Sequence, residues 1–177
     1  TVQIGEQCWF AENLRAENYQ DGAPIASEAF SAAALEFGLL YRGSVVADGQ
    51  SVCPTNWSVS SDNDWLELEM FLGAQSSEAL TFAYSNERLL DQGDALKLAS
   101  ENSVGFNATF GGYLNGAEAT EVTGLGMNGQ WWTSTASEEN ASLLIYRNVE
   151  NSTSGISRIY QPVSAYGFSI RCIKDAE

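Results

Sequence analysis

Histidine is absent from the chain. That removes the commonest general base near neutral pH, and with it Ser-His-Asp and Cys-His catalysis and most zinc and copper sites. Oxygen-bearing side chains remain. Asp62, Asn63 and Asp64, Asp91 with Asp94, and Glu138, Glu139 and Asn140 each group the oxygens that a hard cation needs, so structural calcium is a candidate cofactor. EF-hand spacing is absent, as are the Glu-Pro-Asn and Gln-Pro-Asp motifs of calcium-dependent lectins, and Asp62 and Asp64 also suit a helix start. Paired carboxylates can hydrolyse glycosides. Among 23 acidic residues, however, nothing marks one pair as poised, and the expectation is that the chain is not an enzyme. Cys8, Cys53 and Cys172 are too far apart for a Cys-x-x-Cys redox or zinc pattern. One disulfide and one free thiol is the simplest arithmetic, the odd thiol being free to pair with another chain.

The elements that position these residues belong to a chain of 177 residues, a length that fits one domain, 1–177. An apolar fraction of 44 % with 5 Trp, 7 Tyr and 8 Phe supports a packed core rather than disorder. The net charge is −15. Such a surface repels phosphate backbones and anionic lipid, which argues against nucleic acid as a partner, and it keeps an extracellular protein soluble. No run approaches the roughly 18 apolar residues of a membrane span, so membrane insertion is not expected. Residue 1 already opens a strand-like segment, so no signal peptide is visible. Asn-x-Ser/Thr sequons begin at Asn56, Asn107, Asn140 and Asn151 and matter only in a host that glycosylates them.

Thr1 to Phe10 reads as a strand interrupted by Gly5, with a short helical turn at Ala11 to Leu14 and a turn at Asp21 to Pro24. Ser27 to Phe37 reads as a helix, with Phe30, Ala33, Ala34 and Phe37 on one face and Gly38 as its stop, followed by a strand from Leu39 to Val46. Ser61 to Leu72 is the clearest helix: Ser61 and Asp64 form a capping box, Trp65, Leu68, Phe71 and Leu72 share a face, and Gly73 ends it. Further helix is expected between Glu78 and Leu98. Beyond Asn102, Gly, Ser, Thr and Asn accumulate, and strands are expected at Gln130 to Ser134, Leu143 to Val149, Gly155 to Tyr160 and Gly167 to Ile173. Helices mainly in the first half and strands in the second describe an α+β fold.

Several segments, in order, resemble the Fibrobacter succinogenes major paralogous domain family. They are Val2-Gln3-Ile4-Gly5-Glu6-Gln7-Cys8-Trp9-Phe10-Ala11-Glu12-Asn13-Leu14, Asn18 to Ile25, Phe37-Gly38-Leu39-Leu40-Tyr41, and Cys53-Pro54-Thr55-Asn56-Trp57 with the helix after it. Gly105-Phe106-Asn107-Ala108 with Gly111-Gly112-Tyr113, Trp131-Trp132-Thr133-Ser134-Thr135, and Gly167-Phe168-Ser169-Ile170-Arg171-Cys172 complete the set. Where the family has Gly-Trp-His-x-Pro, this chain reads Asn56-Trp57-Ser58-Val59-Ser60.

The resemblance implies a C-type-lectin-like fold, related to formylglycine-generating enzymes and retroelement-diversified variable proteins, with a twisted antiparallel sheet in which the N- and C-terminal strands pair. It implies a secreted or cell-surface bacterial protein. The catalytic cysteines of the sulfatase-modifying relatives have no counterpart here. A Cys53–Cys172 disulfide is implied, with Cys8–Cys172 as the alternative. In the variable proteins the stretch equivalent to 130–166 carries the ligand surface. Here that stretch holds Trp132, Glu138, Asn140, Tyr146, Asn148, Asn151 and Tyr160, whose aromatic, amide and hydroxyl groups suit a glycan or a surface protein. Trp131 and Trp132 compete for a place in the core, whereas Asn140, Tyr146 and Asn148 are expected to be exposed. The expected function is adhesion or ligand binding. The alternative is a self-associating structural subunit or tip domain of an extracellular appendage or envelope layer.

Overall fold

The computed structural model describes residues 1–97 and 103–175. The chain opens with a hairpin, β1 (Val2–Ile4) and β2 (Gln7–Trp9), turned by Gly5 at φ +60°. It continues through β3 (Phe30–Ser31), β4 (Leu40–Arg42), a helical turn α1 (Ser44–Ala47) and β5 (Ser58–Val59). Helices α2 (Asp62–Phe71), α3 (Ser76–Ala79) and α4 (Gly93–Leu96) follow. The remaining strands are β6 (Tyr113–Asn115), β7 (Val122–Thr123), β8 (Asn128–Ala136), β9 (Leu143–Glu150), β10 (Ile156–Pro162), β11 (Tyr166–Phe168) and β12 (Cys172–Asp175).

The fold is α+β, with three antiparallel sheets ordered β1-β2-β12-β5, β10-β9-β8 and β3-β4-β11-β6-β7. The two ends of the chain share the first sheet, where β12 lies against β2 with Ile173 opposite Trp9. The Cys53–Cys172 disulfide ties the loop before β5 to the start of β12 across 119 residues of sequence, and Cys8 is the free thiol.

Helix α2 forms as its sequence predicts. Ser61 Oγ accepts a hydrogen bond from the Asp64 N–H, and the Asp64 carboxylate accepts one from the Ser61 N–H. Trp65 and Leu68 are buried, but Phe71 is 58 % exposed rather than part of the inner face. The helix expected at 27–37 does not form. Two 3-10 turns, Ser27–Ala29 and Leu35–Phe37, flank β3, where Phe30 pairs with Tyr41 and Ser31 with Leu40. The ladder to β4 and the Phe30–Tyr41 ring contact override local helical periodicity. The first half is therefore not rich in helix, and among the described residues α2 alone is longer than four residues. Between Glu78 and Leu98 only α3 and α4 appear, and Leu98 itself lies outside the described residues. The single strand expected at 167–173 divides into β11 and β12, which join different sheets.

The core is aromatic. Trp9, Trp65, Phe106 and Trp131 meet with centroids 5.3–5.8 Å apart, mostly edge to face. Residues facing each other across an antiparallel pair share a sheet face. Hence Trp131, Arg147 and Arg158 lie on the α2 side of the β8-β9-β10 sheet, and Trp132, Tyr146 and Ile159 on the other. Residues 80–90 cross the outer edge of β10 as a strap, the Ala83 carbonyl accepting from the Arg158 N–H. A Cβ on Gly155 would sit 1.8 Å from the Ser85 carbonyl oxygen, so only glycine lets the strap seat on the β9–β10 turn.

Candidate functional site

On the α2 side of the sheet lies an open cleft of about 540 Å³, between the end of β8, the β8–β9 loop, β10 and the strap. Its volume falls within the range of small-ligand sites. Asp62 and Arg158 form its floor; Phe82, Leu143, Ile145 and Tyr160 give it apolar walls; Thr135, Ser137, Glu138 and Glu139 supply polar groups.

Three guanidinium groups and two carboxylates support the floor. Arg158 donates from Nε and Nη2 to the Asp62 carboxylate at 2.9 and 2.6 Å, and Arg147 donates to Asp62 Oδ1 at 2.8 Å and to Glu69 Oε1 at 2.7 Å. Arg88 completes the chain by pairing with Glu69 and donating to the Thr81 and Ile156 carbonyls, which fixes the strap. Burial alone would raise the Asp62 carboxyl, but the hydrogen bonds and charges of Arg158 and Arg147 hold it below its ordinary value. Burial lowers the Arg88 guanidinium against the pull of Glu69.

The walls are aromatic by virtue of the strap. Phe82 stacks on Tyr160 at 4.6 Å and 22°, and the Arg158 guanidinium carbon lies 3.8 Å from the Phe82 ring centroid. Phe82 remains 44 % exposed, so the stack presents surface to a ligand. Ser137 N–H bonds to the Leu143 carbonyl and closes the β8–β9 loop, while Asn140 Oδ1 accepts from the Ser142 N–H and shapes its turn. Glu138 and Glu139 are exposed on this loop.

Of the residues expected to bind ligand, Glu138 and Tyr160 line this cleft. Asn140 is exposed in the adjoining loop, and Asn151 is exposed at the opposite end of β9, where its N–H bonds to the Met127 carbonyl. Trp132, Tyr146 and Asn148 correct the expectation, being 0 %, 6 % and 5 % exposed on the far face. Trp132 donates Nε1–H to the Tyr41 carbonyl and packs 4.3 Å from Phe168; Tyr146 packs 4.7 Å from the same ring. Burial, partly offset by a hydrogen bond with Gln161, pushes the Tyr146 hydroxyl up to about 12. Asn148 donates to Glu150, and its Oδ1 and the Oε1 of Gln130 opposite are buried acceptors with no partner among the described residues. The sheet is covered on both faces, so strand alternation there separates two cores rather than core from solvent.

Several of the candidate calcium oxygens already have partners. Asp62 is held by two arginines, Asp64 caps α2, and Asp94 accepts from Lys97 and Ser154. Among the described residues no group of three or more His, Cys, Asp or Glu could hold a metal.

The sequence reading missed Phe82, Arg158 and the role of Asp62. Arg147 and Arg158 carried a signal, since each sits in the middle of an expected strand in a chain with only 8 basic residues. An arginine buried there needs acids or several neutral acceptors to satisfy it.

The residues that carry the family resemblance lie mostly in the scaffold instead. Asn13 Oδ1 accepts from Trp131 Nε1 and Arg171 Nε, and its Nδ2 donates to Phe37, Thr109 and Ser169. The family model of the Fibrobacter succinogenes major domain matches residues 2–174. Neither the curated proteins nor the solved structures contain a match to this chain. The match spans nearly the whole length, and the chain belongs to the Fibrobacter succinogenes major domain family.

Proposed function

We propose that this chain is a non-catalytic binding module of a secreted or cell-surface protein, with a C-type-lectin-like fold, and that it takes a glycan or protein ligand in the cleft beside β10. The observation that carries this reading is the Phe82–Tyr160 stack, part of it exposed, beside the hydroxyl and carboxylate groups of Thr135, Ser137, Glu138 and Glu139. Apolar faces next to hydrogen-bonding groups are the chemistry of sugar and protein recognition. The disulfide fits an oxidising compartment, and among the described residues no helix is long and apolar enough to cross a membrane. A binding role is favoured over hydrolysis because Asp62, the carboxylate at the floor, is committed to Arg147 and Arg158.

The test is binding of the purified domain to a broad glycan array and to intact bacterial cells, beside Tyr160→Ala and Phe82→Ala variants. The expected result is specific binding that both variants lose. Binding that survives both would place recognition elsewhere.

One observation favours the structural-subunit reading. Leu80, Phe82, Tyr84 and Leu90 are 57 %, 44 %, 59 % and 54 % exposed along one strap, a run of apolar surface that self-association would cover. A monomeric mass by light scattering at high protein concentration would remove this alternative.

A further inference from the structure

Resting on the cleft as the ligand site, we propose that its occupant is a lysine or arginine side chain on a basic segment of a partner protein. The cleft is divided in kind. Phe82, Leu143, Ile145 and Tyr160 are apolar, whereas Glu138 and Glu139 put two exposed carboxylates on the loop above them. Among the described residues neither glutamate takes part in an ion pair. Lysine and arginine carry the same division, an apolar stem and a charged head. A side chain laid across the cleft buries its stem against the aromatic wall and brings its cation to the rim.

The molecule already contains one such contact. Arg158 lies 3.8 Å over the Phe82 ring, with its guanidinium neutralised by Asp62. The occupant would lie against the exposed part of the Phe82–Tyr160 stack, with Glu138 and Glu139 in the part of Asp62. Charge favours the same ligand. The two rim carboxylates outweigh the single guanidinium charge left uncompensated in the network below, and the chain's net −15 draws basic partners and repels acidic ones. A neutral sugar would leave both carboxylates without a counter-charge.

The probe is a fluorescein-labelled peptide of alternating lysine and glycine, followed by fluorescence anisotropy and set beside neutral oligosaccharides. Glu138→Gln with Glu139→Gln is expected to weaken peptide binding about tenfold, and Tyr160→Ala to weaken it comparably. The control, Glu36→Gln with Glu121→Gln, removes the same charge from exposed sites outside the cleft and is expected to leave affinity nearly unchanged. Equal weakening by rim and control variants would overturn the proposal, because the attraction would then be diffuse. So would Tyr160-dependent binding of neutral oligosaccharides that the rim variant leaves intact; in that case the cleft stands as a ligand site with a different ligand. If no probe depends on Tyr160, the cleft reading fails as well.

Discussion

Two of the places where this molecule buries arginine solve the problem differently. Under the cleft, Arg88, Arg147 and Arg158 share Asp62 and Glu69 in one ion-paired chain. In the scaffold, Arg171 is fully buried, and among the described residues no carboxylate is bonded to it. It donates to the Phe10, Phe106 and Asn107 carbonyls and to Asn13 Oδ1, and it stacks against Phe106 and Trp131. Burial pushes its guanidinium down to about 9 against the opposing pull of Glu12. Neutral acceptors can satisfy a buried cation's geometry, but they leave its charge uncompensated. The paired design places charges under a cleft; the neutral design ties four chain segments together where no ligand surface is needed.

The largest effect should come from breaking the paired design. Asp62→Ala leaves Arg147 and Arg158 buried without that partner, and should cost about 3–5 kcal/mol of stability, read by urea unfolding. Asn13→Ala removes one acceptor from Arg171 and the acceptor of the Trp131 Nε1–H, and should cost about 2–3 kcal/mol. If Asn13→Ala proves the costlier of the two, the distinction between paired and neutral burial does not govern stability here.

Acidity separates the regions without mutation. Asp62 titrates below its ordinary value of 3.8, so its contribution is present above that pH and is lost as pH falls through the depressed value. Arg171 behaves in the opposite sense. Its folded form binds its proton less tightly than the unfolded chain does, so its contribution to stability rises with pH from about 9. Tyr19 and Tyr146, both raised to about 12, reverse that trend above 10, where the unfolded chain loses their protons first. Urea midpoints should therefore drop below pH 4, and Arg171→Met should abolish any gain between pH 9 and 10. A wild-type midpoint that is flat through the acid range would remove Asp62 from the stability account.

These regions also differ in how readable they were. Helix α2 was plain because Ser61, Asp64 and Gly73 are local signals. The Cys53–Cys172 link followed from the family resemblance, and the positions of β8, β9 and β10 from their composition. Residues 27–37 misled, because Phe30 and Ser31 answer to a ladder with β4 that no local window contains. Tyr146 and Asn148 misled because both faces of β9 are covered, so burial depended on packing from β11 rather than on the strand's own alternation. The cleft needs Phe82, which lies more than 50 residues before the strands it meets and reaches them on a strap held by Arg88, the Ala83–Arg158 bridge and the Ser85–Ser157 hydrogen bond.

The smallest structural effect belongs to the rim, and it sharpens the contrast with the floor. Glu138→Gln with Glu139→Gln touches no ion pair among the described residues and relieves like charge in a chain of net −15. The Tm should stay within about 2 °C of wild type or rise slightly, an expectation that differential scanning calorimetry checks. Floor and rim carboxylates lie within one cleft, yet Asp62 is bound into the fold while Glu138 and Glu139 face solvent. A carboxylate the fold does not use can meet a ligand's charge without first breaking an internal bond, so the rim can gain from binding what the floor has already spent on folding. A clear loss of Tm in the rim variant would mean that these glutamates serve the fold after all.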